Sequence, residues 1–94
     1  MGWALLLVVA LVPVHADERT VLVVGDSLSA AHGMPRDAGW VARLDDRLKA
    51  HDAAWRAVNA SVGGDTTRAG RNRLPQALES ADPALVVIAL GGND

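Results

Sequence analysis

Val21-Leu22-Val23-Val24-Gly25-Asp26-Ser27-Leu28-Ser29 reads as a buried strand that ends abruptly on a polar turn. Thr20 to Val24 is an unbroken run of β-branched and apolar residues, the pattern of a short strand covered on both faces. Gly25 stops it, and Asp26 and Ser27 follow. Open α/β sheets bind their ligands just past the carboxyl ends of the strands, so Ser27 is a nucleophile candidate. The plainer alternative is an ordinary turn, since Gly, Asp and Ser all favour turns for local reasons.

Two further segments share this layout. Trp55 to Ala60 reads as a second strand and runs into Ser61-Val62-Gly63-Gly64-Asp65-Thr66-Thr67. Ala84 to Leu90 is the most strongly hydrophobic stretch, reads as a central strand, and ends in Gly91-Gly92-Asn93-Asp94. Ser29 to Gly39, with Gly33, Pro35 and Gly39, reads as a loop. Trp40 to Ala50 reads as an amphipathic helix with Trp40, Val41, Leu44 and Leu48 on its apolar face. Asp45 and Lys49 stand at i,i+4 in the favourable order. His51 follows at the helix end, where a cation complements the dipole. A second helix is expected over Arg68 to Ser80, capped by Asp65 or Thr66, with Leu74, Ala77, Leu78 and Ala81 turned inward. Gly70 and Pro75 are expected to interrupt it, with Pro75 opening a second helical piece. Asp82-Pro83 is a turn.

The order is strand, helix, strand, helix, strand, which argues for a parallel sheet with crossover helices. In such a sheet the three loops leave from one edge, so Ser27, Gly64 and Asn93 can meet there although far apart in sequence. Acyl transfer needs a nucleophilic hydroxyl and donors aimed at the developing oxyanion. A glycine N–H admits close approach and an asparagine amide is a neutral donor. The alternative is that the glycines only turn the chain.

Half of the 94 residues are hydrophobic and the net charge is −2. No cluster of Lys and Arg suggests a nucleic-acid surface, and tryptophan is the only aromatic, so a base-stacking platform is not expected. The sequence holds no cysteine, which excludes disulfides and thiolate chemistry. Met1 to Ala16 reads as a secretory signal peptide. Ala4 to Val12 is the apolar region, and Val14-His15-Ala16 offers a cleavage site before Asp17, although Met1-Gly2-Trp3 carries no Lys or Arg. The alternative there is a buried terminal strand or helix. Cleavage leaves residues 17–94, with no stable membrane anchor. A domain that short buries only about 60% of its unfolded surface.

Gly25-Asp26-Ser27-Leu28-Ser29, Asn59-Ala60-Ser61-Val62-Gly63-Gly64-Asp65-Thr66-Thr67 and Leu90-Gly91-Gly92-Asn93-Asp94 resemble the first three sequence blocks of the GDSL, or SGNH, hydrolases. The likeness is to the periplasmic branch of acyl-CoA thioesterases, lysophospholipases and arylesterases, and it runs from about Thr20 to Asp94. It implies an α/β, flavodoxin-like three-layer parallel sheet with strand order 2-1-3 for the strands present and two more to follow. It makes Ser27 the nucleophile. By the same resemblance, the backbone N–H groups of Ser27 and Gly64 and the side-chain amide of Asn93 would form the oxyanion hole. Asp26 and Asp94 then shape the loops. The implied substrate is a small acyl ester or thioester, with no cofactor and no metal, and the implied location is periplasmic or secreted. Asn59-Ala60-Ser61 also matches a glycosylation acceptor, but the same stretch belongs to the second block.

The family's base is the histidine of an Asp-x-x-His block, and this sequence has none. Three residues before His15, His32 and His51 stand Val12, Ser29 and Leu48. The expectation is therefore of the N-terminal part of a hydrolase domain whose Asp and His lie beyond Asp94, with little or no esterase activity in residues 1–94 alone. His32, in the loop after Ser27, is a weaker stand-in because no carboxylate is placed to orient it. The competing expectation is a non-catalytic α/β module, or an inactive remnant, that binds an acyl or glycan ligand at the same loops. A nucleotide-binding domain is disfavoured, since neither Gly-x-Gly-x-x-Gly nor Gly-x-x-x-x-Gly-Lys-Ser/Thr occurs.

Overall fold

The computed structural model describes residues 18–94, and the leader expected at Met1 to Ala16 lies outside them. The run around Val23 forms strand β1, Arg19–Gly25. Val21, Leu22, Val23 and Val24 are each 4% exposed or less. Burying a Val or Leu side chain is worth about 1.5–3 kcal/mol, so this strand is the main apolar anchor of the fold. After it come helix α1, Trp40–His51, strand β2, Trp55–Asn59, helix α2, Thr67–Ala81, and strand β3, Leu85–Ala89. The segment expected to be loop between β1 and α1 carries one short 3-10 turn at Arg36–Ala38.

All pairings are parallel and the order is β2-β1-β3. Val23 stands opposite Asn59 on one side and Val87 on the other. Helices cover both faces, which gives the flavodoxin-like layering that the blocks imply. β1 is the middle of the three described strands, and β3 pairs with it on one side, in the 2-1-3 order that the resemblance implies; Leu85 is 54% and Ile88 59% exposed.

Side chains alternate across a strand, and β1 divides its residues accordingly. Val21 and Val23 pack with Val41 of α1, flanked by Leu44, Leu48, Trp55, Ala57 and Val87. Leu22 and Val24 face α2, beside Ala77 and Ala81 and beside Gly70 and Leu74 respectively. Trp40 was expected on the buried face and is 40% exposed. It opens α1, and its indole N–H donates to Ser29 Oγ at 3.1 Å. Leu78 is likewise 37% exposed. Gly70, Leu74, Ala77 and Ala81 share one stripe of the helix, and Leu78 stands about 70° round from it.

α2 runs unbroken through Gly70 and Pro75, against the expected interruption. Pro75 sits on the exposed side, where water can meet the carbonyl that its ring leaves unbonded. Gly70 is buried because the sheet comes close: a Cβ there would collide with Leu90 Cδ1. Asp45 fastens α1 to β2, accepting from Ala57 N–H at 2.7 Å and pairing with Lys49 Nζ at 2.8 Å. Burial pushes its pKa up, but the bonds from Lys49 and Ala57 and the charges of Lys49 and Arg56 outweigh this and hold it below the usual carboxylate value. No helix among the described residues is long and apolar enough to cross a membrane.

Candidate active site

β1 delivers Ser27 on a tight turn. Ala30 N–H donates to Asp26 O at 2.9 Å and His32 N–H to Ser27 O at 3.0 Å. The Asp26 carboxylate accepts from Leu28 N–H at 3.3 Å, closing a local Asx turn. Asp26 is buried, Ser27 half-buried and Leu28 82% exposed. Gly25 is needed for this packing, because a Cβ on it would run into the Ser29 side chain and stand 3.1 Å from Ala89 O.

The second loop reaches the serine through its glycines. A Cβ at Gly63 would lie 3.9 Å from Ser27 Cβ, so the two loops abut in ordinary contact. Gly64 follows at φ +83°, a left-handed conformation that suits glycine, and the space beside its Cα is open. Among the described residues, neither Ser27 N–H nor Gly64 N–H donates to a protein acceptor. The loop itself is firmly tied. Arg73 of α2 donates from Nε to Asp65 Oδ2 at 2.8 Å and from Nη1 to Ala60 O at 2.7 Å, and its Nη2 lies 2.6 Å from the same carboxylate oxygen. Thr66, rather than Asp65, caps α2, its hydroxyl accepting from Ala69 N–H at 3.1 Å.

The third loop closes onto the other two. Asn93 Nδ2 donates to Asp65 O at 3.1 Å. A Cβ at Gly92 would stand 3.5 Å from Asp26 Oδ2. Asp94 accepts from Thr67 N–H at 2.8 Å and Thr67 Oγ1 at 2.9 Å, which sets a carboxylate at the start of α2. The three loops carrying Ser27, Gly64 and Asn93 thus share one rim of the sheet. An open cleft of about 680 Å³ lies beside the Ser27 turn, lined by Asp26, Leu28, Met34, Trp40 and Leu90 among others. Such a wall suits an alkyl chain.

His32 is exposed, and among the described residues its side chain makes no hydrogen bond or ion pair. His51 ends α1. No group of three or more His, Asp or Glu among the described residues is arranged to hold a metal.

Sequence reasoning missed Asn59 and Arg73. Asn59 ends β2; its Nδ2 donates to Ser29 O at 2.6 Å and its Oδ1 accepts from Ser61 N–H at 3.1 Å. It bolts the serine turn to the second loop. Its place at a strand end was a signal that went unused. Arg73, on a helix surface eight residues after Asp65, had no local signal.

The family model described as GDSL-like Lipase/Acylhydrolase matches residues 23–94. The esterase TesA of Pseudomonas aeruginosa is 51% identical over 88 residues, 94% of this chain and 44% of that protein. The thioesterase 1/protease 1/lysophospholipase L1 of Escherichia coli K12 is 44% identical over 75 residues, 80% of this chain and 35% of that protein. The crystal structure of TesA superposes with a TM-score of 0.77 at 55% identity, over 81% of this chain and 42% of that one. The chain therefore spans less than half the length of the relatives it matches.

Proposed function

The chain belongs to the GDSL-like lipase/acylhydrolase family, and on that premise we propose that it supplies the nucleophile and the oxyanion-binding donors of a serine hydrolase acting on small acyl esters or thioesters. Family membership supports the reaction class. The meeting of the three loops at one rim carries the assignment of residues.

In this reading Ser27 Oγ attacks the acyl carbonyl and forms an acyl-enzyme, which water then hydrolyses. The N–H groups of Ser27 and Gly64 and the second N–H of the Asn93 amide receive the oxyanion. The first N–H of that amide is already held by Asp65 O at 3.1 Å, which fixes the orientation of the second. The cleft walled by Leu28, Met34, Trp40 and Leu90 takes the acyl chain. No described histidine is oriented as a base for Ser27, so we place the base in a part of the reading frame matching the uncovered length of the relatives. We also assign residues 1–16 as a leader that directs the protein to the periplasm or outside the cell.

The test is hydrolysis of p-nitrophenyl butyrate by protein expressed from the complete reading frame. Ser27→Ala is expected to lower kcat at least about 10³-fold, the scale of loss when a nucleophile is removed. Residues 1–94 alone are expected to show little or no turnover. Wild-type rates in Ser27→Ala would sink the assignment. Ligand binding without turnover by the complete protein would favour a binding module instead.

A further inference from the structure

We propose that Arg73 and Asp65 are positioning residues that set both oxyanion donors, the Gly64 N–H and the Asn93 amide, through one ion pair. The inference rests on the assignment of those donors in the preceding subsection.

The loop from Ala60 to Asp65 contains Gly63 and Gly64, and two adjacent glycines leave a backbone free to take many conformations. A catalytic donor must instead be fixed before the reaction begins, because preorganisation is what makes it effective. Arg73 supplies the fixation. Its guanidinium grips the loop at both ends, Ala60 O at 2.7 Å and the Asp65 carboxylate at 2.8 and 2.6 Å. The Asp65 side chain is 12% exposed and that of Arg73 32%, so the pair is partly shielded from water and salt. The grip is mounted on α2, whose first turn is capped by Thr66.

Asp65 has a second role. Its peptide follows Gly64 directly, and its carbonyl accepts from Asn93 Nδ2 at 3.1 Å. A rotation about the Gly64–Asp65 segment therefore moves the Gly64 N–H and the Asn93 amide together. The carboxylate held by Arg73 opposes that rotation. A lysine cannot replace the arginine fully, since a single ammonium lacks the planar fork that reaches both a carboxylate and a carbonyl.

The experiment measures kcat and KM for p-nitrophenyl butyrate with protein from the complete reading frame. The variants are Arg73→Gln, Arg73→Lys, Asp65→Asn, Asn93→Ala and the double variant Arg73→Gln/Asn93→Ala. Arg47→Gln, an exposed arginine on α1, serves as the charge control and is expected to keep wild-type kcat. Arg73→Gln is expected to lower kcat about 10- to 100-fold with KM within about threefold, the pattern of an interaction made in the transition state. Arg73→Lys is expected to recover part of that loss. In the Asn93→Ala background, Arg73→Gln is expected to cost clearly less than it does alone, because it acts partly through Asn93.

A purely structural role would instead give fully multiplicative losses, and that result overturns the proposal. So does a kcat within threefold of wild type in Arg73→Gln. If Arg73→Gln does not fold by circular dichroism, Asp65→Asn, which keeps a polar side chain of the same size, decides by the same criteria. Should Ser27→Ala retain activity, the donor assignment falls and this inference with it. Loss in Ser27→Ala with none in the Arg73 and Asp65 variants overturns only the inference.

Discussion

α1 and α2 cover opposite faces of one sheet and hold it by different means. α1 works through apolar contact: Val41 is 3% exposed and packs on Val21 and Val23, with Leu44 and Leu48 beside it. α2 buries only Gly70 fully and leaves Leu78 at the surface. Its strong contacts are polar and gather at its N-terminal half, where Thr66, Thr67 and Arg73 tie the second and third loops. The first helix secures the sheet and the second secures the rim. On the proposed assignment, stability and the geometry of the site fall to different faces of the same strand, and substitutions can separate them.

The largest effect on stability is expected on the α1 side. Val41→Ala removes two methyl groups from the centre of the cluster and leaves a cavity. Transfer and cavity contributions together predict a loss of about 2 kcal/mol in unfolding free energy. Urea denaturation of the complete protein measures it, and kcat per folded molecule is expected to stay within about twofold. If Val41→Ala lowered kcat as far as an Arg73 substitution, the division between the two helices would be wrong.

The same division explains what could be read in the sequence. β1, α1 and β2 were legible because their signals are local: a β-branched run, a 3.6-residue apolar period, a second short run. The order β2-β1-β3 came from the resemblance alone, because which strands a crossover brings alongside leaves no local pattern. Gly70 and Pro75 read as breaks by propensity. In the fold one is a close approach to Leu90 and the other faces water. The blocks that carry Ser27, Gly64 and Asn93 could be read because each is a short segment after a strand. Their supports could not, since Asn59 with Ser29 and Arg73 with Ala60 are contacts between distant segments that leave no pattern in either.

Thr66→Ala probes the α2 side at an intermediate level. It removes the acceptor for Ala69 N–H, and losing such a cap costs about 1 kcal/mol. The cap adjoins Asp65, so kcat is expected to fall about two- to fivefold, a small fraction of the Arg73 effect. Thermal melts and kcat on the same preparation measure both. Unchanged kcat alongside the full stability loss would confine the rim's control to Arg73 and leave the rest of the first turn without influence on it.

The smallest effect returns to α1, where Asp45 ties the helix to the sheet through Ala57 N–H. The Asp45 pKa lies below its ordinary 3.8 in the folded chain. A depressed carboxyl contributes stability above the unfolded value and loses it as pH falls through the folded one. Asp45→Asn keeps an oxygen to accept from Ala57 N–H but cannot pair with Lys49 as an anion. At pH 7 the variant is expected to be less stable by about 0.5–1 kcal/mol, the range of a single partly exposed polar contact. That difference is expected to narrow from about pH 4 downward, as the wild-type carboxylate takes up its proton. Urea midpoints of both proteins between pH 3 and pH 7 measure it. Equal stability of the two proteins at pH 7 would mean that the Ala57 bond, which both keep, and not the charge, holds α1 to β2, and the first helix would then bind the sheet without any contribution from the Lys49 pair.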